Sequence, residues 1–175
     1  MANYAYMGKG IVKLTPEAGG TARDVGNVSA LNFTVNENII KLPNYRTAGG
    51  GTYAQVNRIE SVEFTATLHD LSPENLAMVL FATVTEDTVN NTAIIEALTT
   101  GAQTFLMTFE GLNEAATGKK VTVTVHRAKI GAAQGLGLIG DEFGALEITG
   151  EVLIDTGIVE AGKSQFFKVE MDIIA

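Results

Sequence analysis

The chain has 175 residues, of which 46% are apolar, so it is long enough for one domain with a sizeable hydrophobic core. Its 20 acidic and 12 basic residues give a formal net charge of -8, which argues against binding nucleic acid through a basic groove, and the absence of cysteine excludes disulfides and thiolate metal sites. The first residues lack the apolar core of a signal peptide, and no apolar run approaches the roughly 20 residues that span a bilayer. We therefore expect synthesis in a cytoplasm and no membrane partner.

The first elements of the chain are strands separated by a turn. Residues 10–14 predict a short strand, and the segment 16–20 is rich in turn formers. A second strand should start near Val28 and run to about residue 42, because apolar and polar residues alternate along it.

A long glycine-containing loop is predicted next, over residues 43–57. This segment is too long for a tight hairpin turn, and its three consecutive glycines make it too permissive to hold a shape unaided. We expect an arm that is disordered in the free subunit, with its tip on the order of 20 Å from the body at roughly 3.3 Å per residue. The strand that follows should bury one face, formed by Val62, Phe64, Ala66 and Leu68.

One helix is expected, from residue 73 to about residue 82. Ser72 is a suitable N-cap, Pro73 fits the first helical position, and Glu74 complements the helix dipole. The side chains predicted to face the sheet are Leu76, Val79 and Leu80. Residues 86–92 are expected to form a loop.

The second half of the chain predicts five further strands. They cover residues 93–98, 103–112, 118–130, 145–155 and 167–173. The apolar phase of the third shifts after Val125, which predicts a β-bulge near His126 and Arg127. With about eight strands, one flanking helix and a long hairpin loop, residues 1–175 should form a single, mainly β domain, either a β-sandwich or a partly closed barrel.

No motif in the sequence supports catalysis or cofactor binding. Gly135, Gly137 and Gly140 have the spacing of a dinucleotide-binding loop, but no strand-to-helix context is evident and neighbouring acidic residues would repel a pyrophosphate. The two histidines lie on polar strand faces without clustered metal ligands. Glu147 and Glu151, four residues apart on a strand, are about 13 Å apart, beyond either glycosidase spacing. We expect no enzyme, no metal and no cofactor.

Three blocks of sequence, in order, resemble the major tail tube protein of long, flexible-tailed bacteriophages of the siphovirus type. They are GNVSALNFTVNENIIKLPNYRTAGGGTYAQVNRIESVEFTATLHDLSPENLAMVLF at residues 26–81, LIGDEFGALEITGEVLID at 138–155, and GKSQFFKVEM at 162–171. The succession of LPNYR, a glycine run, RIESV and HDLSPENLA is their most specific feature. The resemblance implies a structural virion protein whose hexameric rings stack into a tube, around a channel through which the genome is ejected.

The same resemblance implies partners and a location. Each subunit would contact other copies within and between rings. The channel would hold the tape measure protein and later the viral DNA, and the tube would contact the tail terminator and the distal tail or baseplate proteins. The protein would be found in the virion tail after assembly in the cytoplasm of the host bacterium.

The resemblance also implies that the loop at 43–57 contacts the adjacent ring. We expect these contacts at Tyr45, Arg46, Gly49, Gly50, Gly51 and Tyr53, where aromatic and arginine residues typical of interfaces flank the glycines. The polar faces of the predicted strands provide candidates for the channel lining, namely Asn32, Thr34, Glu63, Glu147 and Glu151.

The alternative is a non-catalytic β-sandwich module that binds carbohydrate. Such modules present aromatic side chains to sugars, whereas this chain has no Trp and only four Tyr. Export of such a module would also need a signal peptide.

Overall fold

A computed structural model of the chain describes residues 5–116, 118–133, 135–137, 139–141 and 143–173. Within these residues the chain forms ten β-strands, one α-helix and one turn of 3-10 helix. The strands are β1 (Gly8–Pro16), β2 (Arg23–Asp24), β3 (Val28–Pro43), β4 (Thr52–Leu68), β5 (Thr83–Asp87), β6 (Thr92–Glu96), β7 (Thr104–Asn113), β8 (Lys120–Ile130), β9 (Leu146–Val152) and β10 (Phe167–Met171). The helix α1 spans Pro73–Leu80, and the 3-10 turn spans Glu114–Ala116. The prediction of a mainly β chain with one helix is confirmed.

Eight of these strands form a single antiparallel sheet. Their order is β2-β1-β7-β8-β9-β4-β3, and β10 pairs with β8 beside that path. Phe33 of β3 stacks on Phe167 of β10 with ring centroids 5.6 Å apart, so the β3 end of the sheet folds back over β10. The sheet is therefore sandwich-like and is not closed into a barrel. Strands β5 and β6 form a separate hairpin.

The sheet bends at a β-bulge in β8. His126 and Arg127 together stand opposite the single residue Leu106 of β7. Before the bulge, β8 pairs with β10; after it, β8 pairs with β9. The bulge predicted from the phase of apolar residues is confirmed, and it allows one strand to belong to both halves of the sandwich.

The hydrophobic core lies between the two halves of the folded sheet and under α1. Alternate residues of β4 from Val62 to Leu68 point into it, as their spacing predicts. Each fully buried side chain of this size contributes roughly 1.5–3 kcal/mol. The largest apolar side chains among them are Phe64, Leu68, Met107, Ile130, Leu146, Val79, Val125 and Val152.

The helix follows its predicted start and ends early. Ser72 caps it, because its Oγ accepts a hydrogen bond from the backbone N–H of Asn75 at 3.2 Å. It ends at Leu80 because Phe81 adopts a left-handed conformation with φ of 50°. Val79 is fully buried, and the other two residues predicted to face inward pack half-buried against the core.

A buried amide connects α1 to the chain that leads into β3. The Oδ1 of Asn75 accepts a hydrogen bond from Nη1 of Arg23 at 2.6 Å. Its Nδ2 donates to the carbonyl oxygens of Val25 and Asp70, at 2.9 and 2.8 Å. Because the Asn75 side chain is itself buried and all of its polar atoms are hydrogen-bonded, it fixes the position of the helix.

Two strands were not predicted. Arg23–Asp24 forms β2, which is too short to show any periodicity, and Thr83–Asp87 forms β5, which takes two residues from the predicted loop at 86–92. The carboxylate of Asp87 accepts hydrogen bonds from the backbone N–H groups of Val89 and Asn90, so the connection to β6 is a tight turn.

Candidate assembly surfaces

The hairpin of β3 and β4 extends well past the rest of the sheet. The two strands pair from Val28 opposite Leu68 to Pro43 opposite Thr52, whereas β9 accompanies β4 only from Glu63 onward. Residues 38–58, called the arm below, therefore form a two-stranded ribbon with its turn. At about 3.3 Å per residue, the six residues from 38 to 43 extend it by roughly 20 Å.

The predicted loop at 43–57 was wrong in extent. Residues 52–57 belong to β4 and pair with β3, so only residues 44–51 connect the strands. The connection is hydrogen-bonded, since the N–H of Asn44 donates to the carbonyl oxygen of Gly51 at 2.8 Å. Gly50 and Gly51 have φ of 68° and 97°, a conformation that favours glycine. The three glycines thus serve a compact turn at the tip of the arm.

The six residues predicted to contact an adjacent ring all lie at this tip. Five of them, Tyr45, Arg46, Gly49, Gly50 and Gly51, are in the turn, and Tyr53 lies just inside β4. The rings of Tyr45 and Tyr53 are 83% and 60% exposed, so both are available to another molecule. The structure brings the six residues together; their contact with another ring stays a prediction.

Both faces of the arm expose apolar side chains. Ile40 stands opposite Val56 and Leu42 opposite Ala54, which places these four residues on one face. Ile39 lies on the other face, and the large apolar residues of the arm are about half exposed or more. A two-stranded ribbon is marginally stable in water by itself, and clustered exposed apolar residues mark interaction sites. The arm therefore has the surface of an element that another molecule covers.

All five candidates for a channel lining lie on one surface, the outward side of β3, β4 and β9. In one row across the strands Thr34 stands opposite Glu63 and Glu63 opposite Glu151. The next rows contain Asn32 and Glu147 in the same orientation. We call this surface the polar face. The opposite side of the same strands forms the core. Its role as a channel lining stays a prediction.

The polar face is shallowly concave and acidic. A depression of about 490 Å³ lies over β4, β8 and β9, between Glu63, Lys129 and Glu151. Glu63 and Glu151 are directly opposite each other, so their like charges repel, and Ser61 Oγ donates a hydrogen bond to Glu63 at 3.3 Å. Three carboxylates and one ammonium give this face a formal charge of -2.

A third surface, which the sequence did not indicate, is an apolar cavity between the edges of β1 and β3. It measures about 290 Å³ and is lined by Val12, Phe33, Phe109 and Val123, with Tyr6 at its rim. The buried side chain of Asn113 holds the chain beside Tyr6, because its Oδ1 accepts from the N–H of residue 7 and its Nδ2 donates to the carbonyl of residue 5. The signal for this clamp, a lone Asn at a strand end, is too weak to find from sequence.

Membrane-spanning helices and clusters of metal ligands are both absent from the described residues. None of the helices in that part of the chain is long and apolar enough to cross a membrane. Across the same residues, no group of three or more His, Asp or Glu side chains is placed to hold a metal ion.

Comparison with known proteins gives a family and a structural neighbour. A chain in the cryo-EM structure of the anti-feeding prophage baseplate, symmetrised six-fold, is similar to this one with a TM-score of 0.48, at 16% identity over 97% of both chains. No curated protein matches the sequence. The model of the family described as protein of unknown function UCP028589 matches residues 5–94 and 88–170. These segments span nearly the whole chain, which therefore belongs to that family.

Proposed function

We propose that the chain is a structural, non-catalytic virion protein, the subunit of a phage tail tube built from stacked, hexameric rings. The observation that carries this proposal is the arm, which extends past its last neighbouring strand with apolar side chains on both faces. An exposed ribbon of this kind adds little to the stability of a free monomer, whereas a polymer buries it in the contacts between subunits. The resemblance of residues 26–81 to tail tube proteins supports the same function.

The edge of the sheet supports lateral assembly. Among the strands that the structure describes, β3 is the last of the sheet order and pairs with β4 alone, so its other edge is free of strand partners there over 16 residues. Long free edges tend to pair with other chains, and ring closure satisfies them without open-ended aggregation. In the proposed ring this edge meets the neighbouring copy, and the polar face turns toward the channel.

The charge of the polar face fits a conduit for DNA. Acidic residues repel phosphate, so a lining with Glu63, Glu147 and Glu151 holds the genome weakly and lets it slide. The tape measure protein would fill the channel before ejection, and the tail terminator and distal tail or baseplate proteins would contact the two ends of the tube. The protein would then reside in the virion tail, after assembly in the host cytoplasm.

The depression on the polar face gives no support to the carbohydrate-binding alternative. The depression on the polar face contains one aromatic side chain, Phe64, which is 1% exposed and cannot stack on a sugar.

The test removes the arm and leaves the body unchanged. Glu37 and Ile59 stand opposite each other, so replacing residues 38–58 by the two-residue turn Asn-Gly closes a short hairpin at that pair. We expect the variant to fold with an unchanged melting temperature and to form no tubes under negative-stain electron microscopy. The control, Val159→Ser, changes an exposed apolar residue outside the arm and should assemble normally.

Two outcomes contradict the proposal. One is a shortened variant that polymerises as well as the parent, which would move stacking to other surfaces such as residues 1–10 or 164–175. The other is a parent chain that stays monomeric in native mass spectrometry at every concentration and forms no tube beside its tail initiator complex.

A further inference from the structure

The apolar faces of the arm are flanked by uncompensated positive charge. Residues 38–58 contain Lys41, Arg46 and Arg58 and no Asp or Glu, so the arm carries +3. The whole chain carries -8, which leaves -8 minus 3, or -11, on the remaining residues. The charges of this protein are therefore separated between a basic arm and an acidic body.

The basic side chains of the arm differ from those of the body. In the body, Lys13 lies 2.9 Å from Glu110, and Lys9 lies 3.0 Å from Glu114. Within the described residues, the structure places no carboxylate within 4 Å of any of the three basic groups of the arm, and no arm residue from 52 to 58 is covered by its own chain. Five of the nine basic residues of the body form such ion pairs, whereas the three basic groups of the arm are open to carboxylates of another molecule.

The hairpin of β5 and β6 has the complementary surface. Residues 83–96, called the outer hairpin, contain Glu86, Asp87 and Glu96 and no Lys or Arg, so they carry -3. On its open side Ile94 stands opposite Thr85 and is 50% exposed, with Glu96 two residues further along the same face. Asp87 borders the same face, and Glu86 lies on the opposite one. This face, an exposed apolar side chain bordered by carboxylates, matches the arm face of Ile40, Leu42 and Val56, which Arg58 borders, whereas Lys41 lies beside Ile39 on the other face of the arm.

The outer hairpin is also held in shape before any contact. The Oδ2 of Asp87 accepts a hydrogen bond from Nδ2 of Asn90 at 2.7 Å, in addition to the two backbone bonds to its Oδ1. The turn presents Val89, 87% exposed, at the tip. A preformed surface loses little conformational entropy on binding, which suits it to receive the arm.

We propose that the arm of one copy docks on the outer hairpin of a second copy of this chain. This rests on the proposed function, in which the arm connects copies. The polar face is also acidic, but it lacks the exposed large apolar residues that the arm needs as partners. Because the two docking surfaces are different parts of one chain, the contact is head-to-tail, the type of contact that can continue from ring to ring along a stack.

The test reverses charge on each surface separately. The arm variant Lys41→Glu with Arg58→Glu, and the hairpin variant Glu86→Lys with Glu96→Lys, each change two exposed residues; Asp87 is retained because it holds the turn. Each variant should raise the critical concentration for assembly about tenfold at low salt, measured by sedimentation and electron microscopy. A control with the same charge change as the arm variant, Lys9→Glu with Lys168→Glu, should assemble like the parent.

Rescue distinguishes docking on the outer hairpin from a general effect of charge. An equimolar mixture of the arm and hairpin variants should assemble again, and so should a single chain carrying all four substitutions, because opposite charges then meet. Raising the salt concentration to about 0.5 M should raise the critical concentration of the parent and so reduce its difference from both variants.

Three results would overturn the inference. If the arm variant assembles like the parent, its charge has no role in docking. If assembly is lost but neither mixture nor fourfold variant restores it, the outer hairpin is not the acceptor, although the tail tube proposal stands. If the arm variant loses binding of double-stranded DNA and assembles normally, its charge serves nucleic acid. The proposed function fails separately, when the chain without residues 38–58 still forms tubes.

Discussion

The two halves of the β3–β4 hairpin have the same secondary structure and opposite surroundings. From Val62 to Leu68, β4 has strands on both sides and buries every second side chain in the core. From Thr52 to Glu60 the same strand pairs only with β3 and is exposed on both faces. The difference shows that strand pairing alone does not produce burial. A third strand and an opposing layer stabilise the inner half, and the outer half depends on another molecule for its cover.

The largest effect on stability should come from the inner half. Phe64 is 1% exposed and packs at 6.3 Å from the ring of Phe33, so Phe64→Ala removes buried area and leaves a cavity. We expect a loss of about 3–5 kcal/mol in the free energy of unfolding, measured by urea denaturation. A loss below about 1 kcal/mol would mean that the inner half is as weakly packed as the arm.

A smaller loss should follow from removing the amide that fixes α1. Asn75→Ala leaves the carbonyl oxygens of Val25 and Asp70 without their donor, and it removes an acceptor from Arg23. We expect a cost of about 1–3 kcal/mol in the same measurement. Asn90→Ala, an exposed amide on the outer hairpin, is the control and should leave global stability nearly unchanged.

At the boundary between the two halves, charge matters more for function than for stability. Glu63→Lys places opposite charges across β4 and β9, where Glu63 and Glu151 now repel, so stability should stay equal or rise by about 0.2–1 kcal/mol. Under the proposed function, tubes should assemble and genome delivery should slow, because a basic ring would hold phosphates. Genome delivery at the normal rate would show that Glu63 does not line the channel.

In the arm, substitutions should separate folding from assembly. Ile40 and Val56 are opposite each other and about half exposed, so the pair Ile40→Ser and Val56→Ser should change unfolding by no more than about 0.5 kcal/mol. Tube formation should nonetheless fall sharply, because the apolar face of the arm is then lost. A large drop in melting temperature would show that the arm is covered within one subunit.

The smallest effect is local and depends on pH. Hydrogen bonds from Asn90 hold the pKa of Asp87 below its ordinary value of 3.8. A lowered pKa stabilises the turn of the outer hairpin at pH above 3.8, and this contribution is lost as the pH falls through the lower folded-state pKa. Amide exchange of Val89 and Asn90 should therefore accelerate in acid relative to the rest of the chain, and Asp87→Asn should abolish that dependence.

The alternation of apolar and polar residues predicted the strands that bury one face. It failed for strands that form only because a partner strand pairs with them. The inward residues of β4, the N-cap of α1 and the bulge at His126 and Arg127 were all visible in local patterns. Residues 52–57 were assigned to a loop because they follow three glycines, and only their pairing with β3 makes them a strand. Burial depends on the whole fold, so the spacing of residues along one segment cannot predict it.

The candidate site was predictable in part for the same reason. Glu63 and Glu151 were chosen from separate strands, and their position opposite each other depends on a register set by residues elsewhere in the sheet. Of the outer hairpin, β6 was predicted as the strand at residues 93–98, whereas β5 was not predicted, and two of its five residues fall in the predicted loop at 86–92. The charge of the outer hairpin, in contrast, was present in the sequence, as was the excess of basic residues in the arm.

The arm is also a mechanical element. Neither β3 nor β4 contains a glycine or, before the last residue of β3, a proline, so the ribbon has no soft joint apart from its bulges. A sideways force at the tip is therefore transmitted along both strands toward the body, where Phe33 is stacked on Phe167. The bulge between Asn36 and Glu37 lies between the arm and this stack, so the ribbon bends there first and the tip can swing while the body stays in place.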